Sequence, residues 1–164
     1  MGMVWVSRLA SDFEVARLRR NPDTIFDFVN SAEAYGTGDQ IDLEKHWHAI
    51  HFLLTGSAGS TESPLSMILG NFEELGPDFG YGPAWLAPRD LLRGFHAALS
   101  SVSQEDLAAR YDPDAMVRAQ VYIAHSLADE GVEGLQFLLE DIERLRAFAT
   151  KGAAGSMNAV GLIT

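Results

Sequence analysis

The side chains best suited to acid–base chemistry are three histidines that lie close together, His46, His48 and His51. His48 and His51 are three residues apart, so on a helix they share one face. Imidazole titrates near neutral pH, and two such rings facing a pocket can act as general acid and general base. The spacing therefore makes His48 and His51 the candidate catalytic residues of this chain.

Two other interpretations of this histidine pair compete with catalysis. A pair of imidazoles on one helix face can hold a metal ion when a third ligand arrives from elsewhere in the chain. The sequence lacks the two histidines four residues apart, with a glutamate beside the first, that zinc proteases use, and we expect no metal. The simplest interpretation is structural, with each ring packing the helix against its neighbours and donating one N–H.

A second dense signal is the turn Gly80-Tyr81-Gly82-Pro83, which is followed closely by Trp85. Two glycines around an aromatic residue permit backbone geometry that other residues resist, and Pro83 restricts Gly82 toward an extended conformation. An aromatic side chain beside such a rigid turn is placed to line the mouth of a pocket. The predicted ligand-binding residues are Trp47, Tyr81, Gly82 and Trp85, on the expectation that the turn lies near the histidine helix.

Several familiar catalytic and cofactor-binding motifs are absent from the sequence. There is no cysteine, which excludes thiol catalysis, thiolate metal sites and disulfides. There is no Gly-x-Ser-x-Gly nucleophile turn, no Gly-x-Gly-x-x-Gly pattern and no P-loop. We therefore expect no cofactor and no nucleophilic serine or cysteine.

A predicted helix positions the histidines. It is indicated by an apolar stripe at helical spacing, formed by Leu43, Trp47, Ile50 and Leu54. Gly56 can adopt the left-handed conformation that ends a helix. In this helix Glu44 would lie one turn before His48. The small polar residues 57–63 that follow predict a mobile surface loop.

Strands at both ends and helices between them make up the rest of the predicted fold. Residues 3–9 and 157–163 are short apolar segments typical of buried strands. Between them we predict several capped helices, a short helix at 64–69, a turn at 70–77 and a helix from Pro88 that directs Leu91 inward. The expected fold is a single α+β domain over residues 1–164, with the N- and C-terminal strands in one small sheet packed against several helices.

The net charge of the chain limits the classes of partner that it can bind. The 23 acidic and 12 basic residues give a net charge of −11, and such a surface repels nucleic acid. A local basic cluster, Arg17, Arg19 and Arg20, is expected at the end of a helix, where the macrodipole favours cations. No apolar run approaches the roughly 20 residues of a membrane span, and no signal peptide is indicated. We expect a cytoplasmic protein with a basic protein or a small ligand as its partner.

The strongest motifs of the chain occur together in a known family. Residues 42–56 read Asp-Leu-Glu-Lys-His-Trp-His-Ala-Ile-His-Phe-Leu-Leu-Thr-Gly, and residues 80–84 read Gly-Tyr-Gly-Pro-Ala. With an opening Met-Gly-Met and a C-terminal helix through 145–148, they resemble the YfbM-like family of small bacterial proteins over essentially the whole chain. The chain departs from that pattern at Ile123, where proline is expected after Tyr122. The resemblance implies an α+β domain in a bacterial cytoplasm and no known reaction.

Two functional hypotheses follow from the sequence. The first is a non-enzymatic acidic binding module that recognises a protein or a small ligand, since complementary charge speeds the encounter with a basic partner. The alternative is a small enzyme that uses His48 and His51 as acid and base in a pocket beside the turn at 80–83. The alternative requires that at least one of the two rings faces a pocket and meets a carboxylate or a metal there.

Overall fold

The first and last strands lie side by side in the middle of a five-stranded antiparallel sheet, which confirms the predicted α+β fold. The computed structural model describes residues 2–164. Strands β1 (Trp5–Ala10) and β5 (Asn158–Ile163) pair along their whole length. The strand order is β2-β1-β5-β4-β3, with β2 at Gln40–Asp42, β3 at Glu73–Asp78 and β4 at Pro83–Ala87.

Strand β3 corrects the turn that was predicted over residues 70–77. It is an edge strand, and of its six residues only Leu75 is buried. It therefore carries no alternation of apolar and polar residues, and its Gly76-Pro77 pair is more typical of a turn. Proline is tolerated on an edge strand because its missing N–H is not needed by a neighbour.

The described residues form nine α-helices and a 3-10 turn at Pro22–Thr24. The helices are α1 (Asp12–Arg20), α2 (Ile25–Val29), α3 (Ala32–Thr37), α4 (Trp47–Thr55), α5 (Arg89–Ser100), α6 (Gln104–Arg110), α7 (Pro113–Arg118), α8 (Ala124–Glu130) and α9 (Val132–Ala154). Capping boxes begin α1 at Ser11 and α6 at Ser103, as their sequences indicate. The cluster Arg17, Arg19 and Arg20 occupies the last turn of α1, as expected.

The sheet separates two apolar cores. Alternate residues of a strand point to opposite faces, and on one face Trp5, Leu9 and Ala159 pack with buried residues of α4, α5 and α9. On the other face, strand residues pack against α1 and α2, and they include Val6, Leu75, Ala84, Leu86, Val160 and Leu162. Helices therefore lie on both faces of the sheet, and α4 lies on the first face.

Helix α4 begins later than its apolar stripe predicts. Strand β2 ends at Asp42, whose carboxylate Oδ1 accepts the Glu44 amide at 2.6 Å, and Glu44 adopts a left-handed φ of 45°. This local hydrogen bond competes with helix formation, and the helix starts only at Trp47. Leu43 is buried as expected but precedes the helix, and Glu44 does not lie one turn before His48 on it. Gly56 does end α4, with a φ of 74°.

Two further expectations are corrected. Residues 64–69 form successive turns rather than a short helix, and Leu91 is 48% exposed although α5 begins where it was predicted. The segment between α7 and α8 contains Ile123 at a φ of 58°. Proline cannot adopt that angle, because its ring fixes φ near −65°. The departure from the family pattern therefore coincides with a backbone conformation that the expected residue cannot take.

Candidate functional site

His48 joins helix α4 to two loops. Its Nδ1 accepts the backbone N–H of Tyr122 at 2.9 Å, so the ring proton lies on Nε2. Nε2 then donates to the carbonyl of Ala58 at 2.8 Å. Both ring nitrogens are therefore engaged by the backbone, and the half-buried ring presents no free nitrogen to a substrate.

His51 is fully buried, with an exposed fraction of 0%. Its Nε2 lies 2.8 Å from the carbonyl of Gly59, to which it donates. Burial lowers the pKa of His51, which keeps the ring neutral. With His48, it holds the loop after α4 at two successive carbonyl groups, so the loop predicted to be mobile is tethered to the helix by both rings.

The four predicted ligand-binding residues lie at separate places. Trp47 is 5% exposed, donates from Nε1 to the carbonyl of Met3 at 3.2 Å and stacks on the His48 ring. Trp85 stacks on Trp5 with ring centroids 5.4 Å apart. Tyr81 is 52% exposed, and Gly82 donates its N–H to the Asp78 carboxylate in the tip of the β3–β4 hairpin.

The hairpin tip and α4 belong to opposite sides of the sheet. Leu75 and Phe79, which flank the tip, pack into the core formed with α1 and α2, whereas α4 packs into the other core. Five surface clefts of 400–470 Å³ open on the described residues. None of these five is lined by any predicted site residue, that is by Trp47, His48, His51, Tyr81, Gly82 or Trp85. The expectation that helix and turn adjoin is therefore wrong.

A cluster that the sequence did not reveal lies at the start of α4. His46 Nδ1 donates to Asp141 Oδ2 at 2.6 Å, and Asp141, on α9, is 9% exposed. The other oxygen of Asp141 accepts from Arg144 at 2.7 Å, and Arg144 also donates to the carbonyl of Asp42. The His46 ring stacks on Phe137 with an interplanar angle of 12°. The two key residues are 95 positions apart, so no local spacing signals their meeting.

The hydrogen bond that His46 donates to Asp141 raises the pKa of His46, assisted by the nearby charges of Glu44 and Glu130. A group whose pKa is raised on folding contributes stability that is fully present below its unfolded pKa of about 6.5 and is lost as the pH rises through the folded pKa. We expect His46→Gln to lower the free energy of unfolding most at acid pH, with the deficit shrinking as the pH rises above about 6.5. Urea denaturation across this pH range measures it, with the exposed His125→Gln as the control. A deficit that does not change with pH would contradict the role of His46.

A run of acidic residues lies on and just before α9. Residues 129–143 contain no lysine or arginine and six acidic residues, namely Asp129, Glu130, Glu133, Glu140, Asp141 and Glu143. Two of the six are paired with arginines, Asp141 with Arg144 and Glu143 with Arg146. The other four form no ion pair within residues 2–164 and are all exposed. This side of the protein therefore carries uncompensated negative charge.

A cleft of about 470 Å³ opens on the same surface, and we call it the α9 cleft. It is lined by Gln104, Val132, Leu135, Gln136, Leu139, Glu140, Glu143 and Arg144. Val132 is 80% exposed and Leu135 and Leu139 are half-buried, so its floor is apolar. Phe137, which covers His46, is a further exposed apolar side chain of α9 but does not line the cleft. An apolar floor with an acidic rim is suited to binding a partner that is both apolar and basic.

The part of the chain that the structure describes contains neither a cluster of metal ligands nor a membrane-spanning helix. No group of three or more His, Asp or Glu side chains is arranged there to hold a metal ion. None of the helices of residues 2–164 is both long and apolar enough to cross a membrane.

The fold and these surfaces define a small α+β domain with an acidic helical face. The chain belongs to the family described as domain of unknown function DUF1877, whose model matches residues 1–160. No curated protein matches it. Among solved structures, it is similar to a protein of unknown function, YfbM from Escherichia coli, with a TM-score of 0.70, 16% identity and coverage of 98% of this chain and 99% of that one. The resemblance to the YfbM-like family is thereby confirmed, and the structural likeness concerns the fold.

Proposed function

We propose that this protein is a non-enzymatic acidic binding module whose α9 cleft takes a basic amphipathic helix of a partner protein. The single observation that carries the proposal is the presence, on the helix that forms the apolar floor, of two exposed carboxylates, Glu133 and Glu140, that have no ion-pair partner within residues 2–164. Glu140 lines the α9 cleft itself. Residues 129–143 have no cation of their own, and the net charge of −11 adds a long-range attraction for a basic partner.

The shape of the cleft favours a helix as the occupant. Val132, Leu135 and Leu139 recur on one face of α9, so the apolar floor runs along the helix axis. An amphipathic helix lays its apolar face into such a groove, anchored by side chains one turn apart. Basic side chains at the edges of that helix would then face Glu133 and Glu140, both of which are exposed. Burial of apolar groups supplies affinity, and the rim charges supply encounter rate and orientation.

The test uses a synthetic peptide of about 18 residues, roughly five helical turns, with leucine on one face and lysine on the other. We expect saturable binding by fluorescence anisotropy that weakens as the salt is raised from about 50 to about 500 mM. The double variant Glu133→Lys/Glu140→Lys should weaken binding by about tenfold or more. Leu139→Ser should weaken it by a comparable factor without altering the salt dependence.

The matched control is Asp23→Lys/Asp27→Lys, which reverses two exposed acids at the other core of the molecule. Each double variant changes the net charge by +4, from −11 to −7. Equal weakening by both would show that only net charge matters, and this result would refute the α9 cleft as the site. Failure of the peptide to saturate at low salt would refute the proposed function itself.

The alternative, an enzyme with His48 and His51 as acid and base, has less support in the geometry. Neither ring lines any of the five clefts, and the nitrogens that hold the loop are the ones a substrate would need. Their proposed role here is positional.

A further inference from the structure

A second cleft, of about 400 Å³, is walled by the loop that follows α4, and we call it the loop cleft. Its polar lining residues include Thr61, Ser63, Ser66 and Asn71. Its apolar lining includes Phe72 and Leu91. It lies apart from the α9 cleft and shares no lining residue with it.

The three hydroxyls have unused donors. Ser66 Oγ accepts the Thr61 amide at 3.1 Å, Thr61 Oγ1 accepts the Ser63 amide at 3.2 Å, and Ser63 Oγ accepts the Leu65 amide at 3.2 Å. A hydroxyl is one donor and two acceptors, so each oxygen keeps its own O–H. No acceptor for these three protons lies among the described residues, although Ser66 is only 5% exposed. The cleft therefore offers three O–H donors to a ligand that carries acceptor oxygens.

Phe72 forms an aromatic surface beside these donors. Its ring packs on Trp85 with centroids 5.5 Å apart, and Trp85 in turn stacks on Trp5 in the core. The outer edge of the ring also lies against Gly70, where an added Cβ would come within 2.0 Å of the ring atom Cζ. The contacts with Trp85 and Gly70 hold the ring in place, and a fixed aromatic ring offers apolar contact area at little entropic cost.

The cleft continues past Asn71, Phe72 and Leu91 into a neighbouring cleft of about 460 Å³, which these three residues also line. The lining of this neighbouring cleft contains one cation, Arg19, which is already paired with Glu73 at 2.8 Å. The loop side of the loop cleft carries the acidic Glu62. Within residues 2–164, neither cleft is lined by an unpaired cation that could bind an anionic ligand. The lining favours a neutral ligand that is longer than one ring.

We propose that the loop cleft and its continuation bind a neutral oligosaccharide, whose hydroxyl oxygens accept from Thr61, Ser63 and Ser66 while the apolar face of one sugar ring packs on Phe72. Small-ligand sites combine an apolar surface with a few placed polar groups in this way. The loop is held ready for the ligand by His48 and His51, and by Trp5 Nε1, which donates to the Ile68 carbonyl at 3.3 Å. His48 and His51 are accordingly positioning residues for this site.

The test titrates the neutral trisaccharides maltotriose, cellotriose and chitotriose, with tryptophan fluorescence reporting Trp85 beneath Phe72 and saturation-transfer NMR reporting the sugar. At least one should saturate below about 20 mM. Asn71→Ala should weaken it about fivefold or more. Asn71 is exposed and makes no side-chain hydrogen bond within residues 2–164, so we expect this change to leave the fold intact. Phe72→Ala should weaken binding further.

Phe26→Ala is the matched control, since Phe26 is a 43% exposed phenylalanine on the opposite side of the sheet. It should leave sugar binding unchanged, and thermal unfolding should show that each variant is folded. Three results would overturn the proposal: no saturation by any of the three sugars, saturation that Asn71→Ala and Phe72→Ala leave unaltered, or tighter binding of glucose 6-phosphate than of the neutral sugars. None of them bears on the α9 cleft, whose peptide test is independent.

Discussion

Replacing Gly161 by valine is expected to lower the free energy of unfolding by about 3 kcal/mol, which is a large effect for a single substitution. Gly161 lies in the central strand β5, paired with Trp85 on β4 and with Ser7 on β1. The Trp85 ring folds across it, so that an added Cβ would lie 2.1 Å from that ring. Trp85 reaches Trp5 over this glycine. A valine would therefore separate two stacked aromatic rings in the core.

The measurement is thermal or urea denaturation, and about 3 kcal/mol corresponds to a fall in Tm of roughly 6–12 °C for a domain of this size. Gly94→Ala is the control, because Gly94 lies inside α5 and a Cβ there meets nothing within 4 Å. That change should be neutral or slightly stabilising. Adding Gly161→Val to a Trp85→Ala variant should cost much less than in the wild type. A full cost in that background would show that Trp85 is not the reason for the glycine.

The second large effect is expected from His48→Leu, which should cost about 2 kcal/mol. Leucine keeps the size of the side chain but removes both hydrogen bonds, leaving the Tyr122 amide and the Ala58 carbonyl without partners. Because these groups belong to two different loops, the loss should appear in both. Amide hydrogen exchange should speed up at Tyr122 and around residues 57–60.

His125→Leu serves as the comparison, since His125 is exposed on α8 and should change stability little. A His48→Leu protein of unaltered stability and exchange would show that the ring is not a structural tie. It would then return His48 to the list of side chains available for chemistry.

The sequence predicted the elements whose signals are local. The capping box of Ser11 and Glu14 depends on only four residues and the left-handed Gly56 on one, so both can be recognised from the sequence alone. Strand β3 was not predicted because Leu75 is its only buried residue, so its sequence shows no strand-like alternation. The strand forms through its pairing with β4, which the sequence of β3 does not indicate. The start of α4 escaped because the Asp42 carboxylate captures the Glu44 amide, an interaction that the apolar stripe cannot reveal.

The candidate site was predicted less well than the fold, because its side chains meet partners that are distant in the sequence. The structural interpretation of His48 and His51 agrees with their contacts. Their partners are backbone groups of Ala58, Gly59 and Tyr122, and a backbone group is the same in every residue, so the sequence does not indicate which one a histidine will meet. His46 stood beside them in the sequence, yet its importance depends on Asp141, which arrives from α9. The acidic residues and the helical spacing of the apolar residues on α9 can each be recognised in the sequence. Only the packing of α6 beside α9 turns them into one cleft.

The position of β5 has a consequence for how the chain acquires its structure during synthesis. This strand is the central one of the sheet, yet it follows every other element in the order of translation. Until residues 158–163 have left the ribosome, the β1–β2 pair and the β3–β4 hairpin have no strand to join them. Each then exposes an unpaired edge, which is the feature that recruits other chains. The nascent protein should therefore depend most on protection by chaperones just before its last strand appears.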